Sequence, residues 1–307
     1  MKRCLISIVG PTAIGKSKLG IKIAEEFNGE IVNADSRQIY IFMDIGTSKP
    51  SIKDRQKVKH HLIDIIYPDQ LYSVANYKND ASAAIVDIMS RNKIPILVGG
   101  SGQYIWCILE NWQIPFVEPD IIFRKEMEER AQKYGIDSLY KELKQIDPAS
   151  AVKISPRNLR RIIRALEIYQ KTGLRPSAVK MKRGVDYPVI IIGLTSERKY
   201  LYEIIDKRVD NMIKEGFIDE VKNLKNMGYY QDLASMSSIG YRQIYEYLNN
   251  LIGLEEAITN IKYETHRFAR SQYSWFKIND ERIKWFFVND EYEDKIEYTV
   301  KEFLERI

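Results

Sequence analysis

The sequence predicts an α/β fold, a parallel sheet core interrupted by a helical insertion, and three observations predict it. Apolar runs without alternation recur at residues 4–9, 94–98 and 187–194, with a second short strand read at 30–33, the pattern of strands buried on both faces. Helical spacing follows the first run, with Leu19, Ile23 and Phe27 four apart, so strand and helix alternate as parallel strands require. Strand signals then thin out between residues 118 and 184. There the pattern reads as helices over 120–134, ended by Gly135, over 137–145, stopped at Asp147-Pro148, and over 158–171, stopped by Gly173. Helices are expected again over 198–225, 239–249 and 254–276, and a last strand over 285–288. The organisation predicted is a core of residues 1–117 and 185–307 carrying an insertion of 118–184.

Composition narrows the function classes. The chain has 307 residues, 45% hydrophobic and 29% charged, ordinary for a globular protein. No run approaches the ~20 apolar residues of a membrane helix. The apolar run after Met1-Lys2-Arg3 reads as a strand, so no signal peptide is expected. Cys4 and Cys107 form no disulfide framework and are read as packing residues in a reducing cytoplasm. The net charge of +5 is modest, but its distribution is not. Between residues 151 and 184 lie Lys153, Arg157, Arg160, Arg161, Arg164, Lys171, Arg175, Lys180, Lys182 and Arg183, against a single acid, Glu167. That local excess is the footprint expected for a phosphate backbone, the alternative being a solvated helix face.

The segment Gly10-Pro11-Thr12-Ala13-Ile14-Gly15-Lys16-Ser17 fits G-x-x-x-x-G-K-[ST] and lies between a predicted strand and a predicted helix. Glycines let backbone N–H groups converge on phosphate oxygens at the positive end of the helix dipole. Lys16 adds a point charge, and the Ser17 hydroxyl is placed to ligate Mg²⁺. Such a loop recognises a polyphosphate without saying whose.

Further motifs follow in order: residues 33–40 (Asn-Ala-Asp-Ser-Arg-Gln-Ile-Tyr), 43–50, 60–64 with His60-His61, 73–77, 98–104 with Gly99-Gly100-Ser101-Gly102, 160–167, 239–241 (Ile-Gly-Tyr) and 265–276. This ordered series, covering nearly the whole chain, resembles the bacterial tRNA dimethylallyltransferases. The resemblance implies a P-loop NTPase-like core whose loop holds the diphosphate of dimethylallyl diphosphate, not ATP. It implies an insertion that grips the anticodon stem, and transfer to N6 of the adenine 3′ to the anticodon in tRNAs reading codons that begin with U. A monomer without a zinc-finger extension is expected.

The resemblance also assigns residues. Asp35 becomes the general base, its alternative being the cap of a following helix. Independently of the resemblance, Lys16 and the loop amides are placed to stabilise the departing diphosphate and Arg208 to add to them, although Arg208 reads equally well as a surface arginine paired with an acid one turn away. Asp35, Ser36, Arg37 and Gln38 receive the flipped adenine. Ser101, where the family has threonine, and Arg124, Arg160, Arg161 and Arg164 are expected to contact tRNA. His60 and His61 are read as structural, and Trp275 and Phe276 as core. Ser271 replaces a basic residue of the family's Lys-Arg-Gln, which weakens the expected RNA contact of that helix.

Three other readings compete. A P-loop kinase would want an acid for Mg²⁺ after an apolar strand, and only Asp64 could be forced into that role. A prenyltransferase acting on free adenylates would have no use for the basic insertion. A non-catalytic RNA-binding protein would have no need of Lys16, Ser17 and Asp35 together.

Overall fold

The computed structural model describes residues 3–115, 117–179, 183–289 and 291–307. In chain order the elements are β1 (Leu5–Val9), α1 (Lys16–Glu26), β2 (Gly29–Asn33), α2 (Ile52–Lys57), β3 (His60–His61), α3 (Val74–Ser90), β4 (Ile94–Val98) and α4 (Gly102–Leu109). Then come α5 (Ile121–Tyr134), α6 (Ile136–Ile146), α7 (Pro148–Lys153), α8 (Leu159–Thr172) and α9 (Pro176–Val179). The chain finishes with β5 (Val189–Thr195), α10 (Arg198–Lys214), α11 (Phe217–Asn226), α12 (Tyr241–Leu248), α13 (Leu254–Gln272), β6 (Ile283–Phe287) and α14 (Tyr292–Arg306). The predicted α/β class holds.

Two compact units are present: Met1–Leu109 with Val185–Ile307, and Glu110–Gly184. The first contains one sheet of order β3-β2-β4-β1-β5-β6, and every pairing in it is parallel. Its central strands are buried along almost their full length, so their apolar runs show no alternation. Leu19 and Ile23 of α1 pack with Ile6, Ile8, Ile96 and Ile192 in one cluster. A second cluster joins Ile39 and Met43 to Phe217, Tyr241 and Ile261. Among the described residues no helix is long and apolar enough to cross a membrane.

The second unit is helical, with Leu139, Leu143, Ile162 and Leu166 at its centre. Its α8 starts at Asn158, whose side chain accepts from Arg161 N, and stops at Gly173 in the left-handed region (φ 68°). Glu110 and Val117 go with this unit: Glu110 O accepts from the N–H groups of Arg183 and Gly184, and Val117 O accepts from Arg164 Nη2 at 2.9 Å.

Several elements differ from expectation. The single helix expected over 198–225 is two, because Gly216 (φ 99°) turns the chain between α10 and α11. The helix expected over 254–276 ends at Gln272. The sequence does not predict α2, α3, α4, α7, α9, α14 or the two-residue β3. In α4 every residue but Gln103 is buried, so no polar face marks a helical period.

Candidate active site

The site is built where β1, β2 and β4 end, at the carboxyl edge where open parallel sheets place ligands. After β1 the chain turns at Gly10 (φ 142°), where a Cβ would lie 2.5 Å from Leu194 O. Ala13 (φ 67°) and Gly15 (φ 98°) complete the loop, and Leu19 N closes the first turn of α1 on Gly15 O. Lys16 Nζ donates to Pro11 O at 2.6 Å. Thr12 is held twice: its N–H donates to Gln272 Oε1 at 2.7 Å, and its Oγ1 accepts from Arg208 Nη1 at 3.1 Å.

A cavity of about 280 Å³ opens between this loop and the next two. Its walls include Thr12, Gly15, Lys16 and Ser17 on one side, Asn33, Asp35 and Gln38 on another, and Gly99, Gly100 and Arg208. Burial pushes Lys16 down to about 7; nearby Arg208 adds to the fall and Asp35 opposes it. Arg208 is lowered for the same first reason and sustained by Asp35. Two partly desolvated cations and one carboxylate make a cavity poised for an anion, because a bound negative charge restores what burial removed. Arg208 thus lines the cavity and is not a surface arginine on a neighbouring acid.

The second wall is a tethered loop. Asn33 Oδ1 accepts from Asp35 N at 3.1 Å, and its Nδ2 donates to Leu62 O at 3.0 Å. Tyr77, fully buried, donates from its hydroxyl to Asn33 O at 3.0 Å. Asp35 Oδ1 accepts from Arg37 N at 2.8 Å, an Asx turn. No helix follows before α2 at Ile52, so Asp35 caps a turn and no helix. Its Oδ2 has no hydrogen-bond partner among the described residues. Ser101 Oγ accepts from Ser36 N at 3.0 Å, so the hydroxyl shapes the neighbouring loop. Gln38 donates from Nε2 to Thr47 O and Ser48 O at 3.1 Å each, and Arg37 Nη1 donates to Ala234 O at 2.9 Å. The polar ends of Arg37 and Gln38 therefore shape this wall.

Behind the loop, Glu30 is buried and bound by Arg91, His61 and Lys93, with Arg91 the largest cause holding its carboxyl far below the usual range. His60 Nδ1 lies 2.8 Å from Val58 O, and burial lowers its pKa. His61 is tied to the buried Glu30 while His60 lines the cavity, and no cluster of three or more His, Cys, Asp or Glu able to hold a metal exists among the described residues. Asp64 is engaged by Lys49 and Arg55.

In the second unit, Arg160 and Arg161 are exposed on α8. Arg124 and Arg164, each still about a third exposed, also have a task within the unit. Both guanidiniums bind Glu167, which is fully buried and also accepts from Asp120 N at 2.7 Å. Burial works against the Glu167 charge, but the two arginines outweigh it and hold its pKa below the ordinary value. A buried carboxylate needs such partners, so these arginines assemble the unit. Lys180 and Lys182 lie outside the described residues.

Sequence reasoning did not single out Gln272, Asn33 and Tyr77. Gln272 stood inside a motif, but nothing in its spacing indicates that its amide bridges two loops. Phe276 is core, Trp275 packs on Gly102, and Ser271 Oγ donates back to Phe268 O of its own helix at 2.7 Å.

Comparisons with known proteins point the same way. Residues 38–279 match the family model described as IPP transferase. A tRNA dimethylallyltransferase of Roseiflexus sp. (strain RS-1) is 50% identical over 273 residues, 89% of this chain and 90% of the relative. One from Carboxydothermus hydrogenoformans is 46% identical over 300 residues, 96% of each. The crystal structure of the tRNA isopentenylpyrophosphate transferase of Bacillus halodurans superposes with a TM-score of 0.73 at 39% identity, covering 99% of this chain and 98% of that one. A eukaryotic dimethylallyltransferase captured acting on tRNA superposes with a TM-score of 0.83 at 27% identity, covering 99% and 80%. On its sequence, its fold and these matches, the chain belongs to the IPP transferase family, alongside proteins named tRNA dimethylallyltransferase.

Proposed function

We propose that this chain transfers a dimethylallyl group from dimethylallyl diphosphate to N6 of the adenine 3′-adjacent to the anticodon, in tRNAs reading U-starting codons, and releases diphosphate. One observation carries the reading: a single cavity bounded by a phosphate-binding loop with Lys16 and Arg208 on one side and by Asp35 on the other.

That arrangement divides the labour of the reaction. The N6 lone pair attacks the allylic carbon as its bond to the diphosphate oxygen breaks. Lys16, Arg208 and loop N–H groups meet the charge that grows on the leaving oxygens. The amine proton becomes acidic only as the C–N bond forms, and Asp35 Oδ2 takes it. Oδ1 is fixed by Arg37 N, so the carboxylate does not rotate away. Ser36, Arg37, Gln38 and Ser101 frame the adenine pocket.

Mg²⁺ fits the loop. Ser17 lines the cavity, and its hydroxyl has no hydrogen-bond partner among the described residues. Phosphate oxygens and water would complete the shell, as Mg²⁺ prefers. When bound, the ion would neutralise diphosphate charge. The exposed Arg160 and Arg161 would meet RNA phosphates. We read the chain as a monomer working in the cytoplasm, in keeping with its two buried cysteines.

The test is transfer with Mg²⁺, labelled dimethylallyl diphosphate and either unmodified tRNA or free adenine nucleotides, followed by mass analysis of the digested tRNA. A dimethylallyl adduct on one adenosine beside the anticodon is expected. Label on free nucleotides alone, or consumption of ATP with no transfer, would overturn the reading.

A further inference from the structure

Gln272 does not line the cavity, yet it joins two of the loops that do. It is 3% exposed. Its Oε1 accepts from Thr12 N of the phosphate-binding loop at 2.7 Å, and its Nε2 donates to Gly100 O of the loop after β4 at 3.0 Å. A Cβ on Gly100 would lie 2.2 Å from that Nε2, so the fit is tight from both sides. The same Thr12 receives Arg208 on its hydroxyl. Only a neutral side chain carrying both an acceptor and a donor satisfies the two loops at once. A carboxylate would set one oxygen against the Gly100 carbonyl, and an apolar isostere would leave a buried N–H and C=O unpaired.

We propose that Gln272 is a positioning residue for the diphosphate. It turns the Thr12 N–H out of the cavity and onto α13, and so sets which loop amides remain to receive phosphate oxygens. It also fixes the spacing between the Thr12 and Gly100 walls. The inference rests on the reading that this loop holds a diphosphate, and it deepens that reading by naming what holds the loop.

The experiment is calorimetric binding of inorganic diphosphate with Mg²⁺ to the full chain, the wild type beside Gln272→Glu and Gln272→Met, at about pH 8 and about pH 6. At the higher pH both variants are expected to bind diphosphate about tenfold more weakly, the effect of one unmade buried hydrogen bond. At the lower pH the glutamate, its pKa raised by burial and by the facing carbonyl, becomes neutral and offers both an acceptor and a donor. The deficit of Gln272→Glu is then expected to shrink toward the wild type, while that of Gln272→Met persists. The charged groups on the elements packed there, Lys16, Asp35, Arg208 and Arg270, are common to all three proteins, and the uncharged Gln272→Met reports any change they make between the two pH values. A purely structural glutamine would leave the affinity of the folded fraction unchanged, and that result overturns the proposal. So does a Gln272→Glu protein that stays unfolded, or as weak, at the lower pH. Failure of the wild type itself to bind diphosphate would strike at the functional reading instead.

Discussion

At Asp35 one oxygen holds a turn, the other has no hydrogen-bond partner among the described residues, and the proposed base role rests on the second. Asparagine keeps the oxygen that accepts from Arg37 N and removes the basicity. Asp35→Asn is therefore expected to retain tRNA and donor affinity while turnover falls by about 10²–10⁴, the usual range for a lost general base. Single-turnover kinetics with prebound tRNA checks this. Lys16 makes a second prediction, about stability. Its pKa is about 7 in the folded, ligand-free protein, against an ordinary value of 10.5. Between those values the unfolded chain holds a proton that the native one has released, so stability rises with pH there. The slope is roughly 1.4 kcal/mol per pH unit. Below pH 7 both states are protonated and the full destabilisation remains. Denaturant unfolding at several pH values should show that slope in the wild type and its loss in Lys16→Met. Residue identities at the phosphate loop were legible because eight consecutive positions carry one backbone task. The tethers were not: the amide of Gln272 reaches Thr12 across 260 positions, and no local pattern marks such a partner.

At the scale of elements, α8 divides its arginines. Arg164 turns to the buried Glu167, while Arg160 and Arg161 face solvent. Reversing both exposed charges, Arg160→Glu with Arg161→Glu, is expected to weaken tRNA binding and lower its salt slope by about one unit for each RNA phosphate no longer neutralised. Affinity for diphosphate should stay unchanged. Titrating tRNA at several salt concentrations decides it, and an unaltered slope would make α8 a merely solvated face. This division was hidden in the sequence, because charge counts do not say which cations meet a buried acid. Strands were read well for the opposite reason: burial on both faces writes itself as an unbroken apolar run. Helix ends were read well where glycine stopped them, as at Gly173. The apolar α4 had no polar side to betray its period, and the break at Gly216 was missed because helical spacing resumes at once.

Across the whole molecule, charge and phosphate chemistry are separated along the chain. The stretch 151–184 carries ten basic residues and one acid, while the chain totals only +5. The loop of residues 10–17, by contrast, belongs to the unit formed by Met1–Leu109 and Val185–Ile307. Ligand binding stabilises what it touches, by about 2.7 kcal/mol at a hundredfold excess over Kd. Amide exchange with saturating diphosphate is therefore expected to slow across residues 10–17 and 99–101 and to leave 159–172 unmoved. Equal slowing in both stretches would mean that the anion also binds the basic insertion. A partition of this kind is partly legible in the sequence: strand signals thin near residue 118, the basic excess starts only near residue 151, and the unit itself begins at Glu110.

One close approach sets a limit on how the site could be reshaped. A Cβ on Gly99 would fall 2.1 Å from Ala34 O, main chain against main chain. The loop after β4 and the loop bearing Asp35 are thus at their minimum separation and cannot be edited apart by ordinary side-chain drift. The pliable part of the cavity is instead its apolar lining, Ile31, Ile63 and Val98, where trimming a methyl makes room. Any widening of this cavity is therefore expected to come from those side chains, with the glycines as its fixed frame.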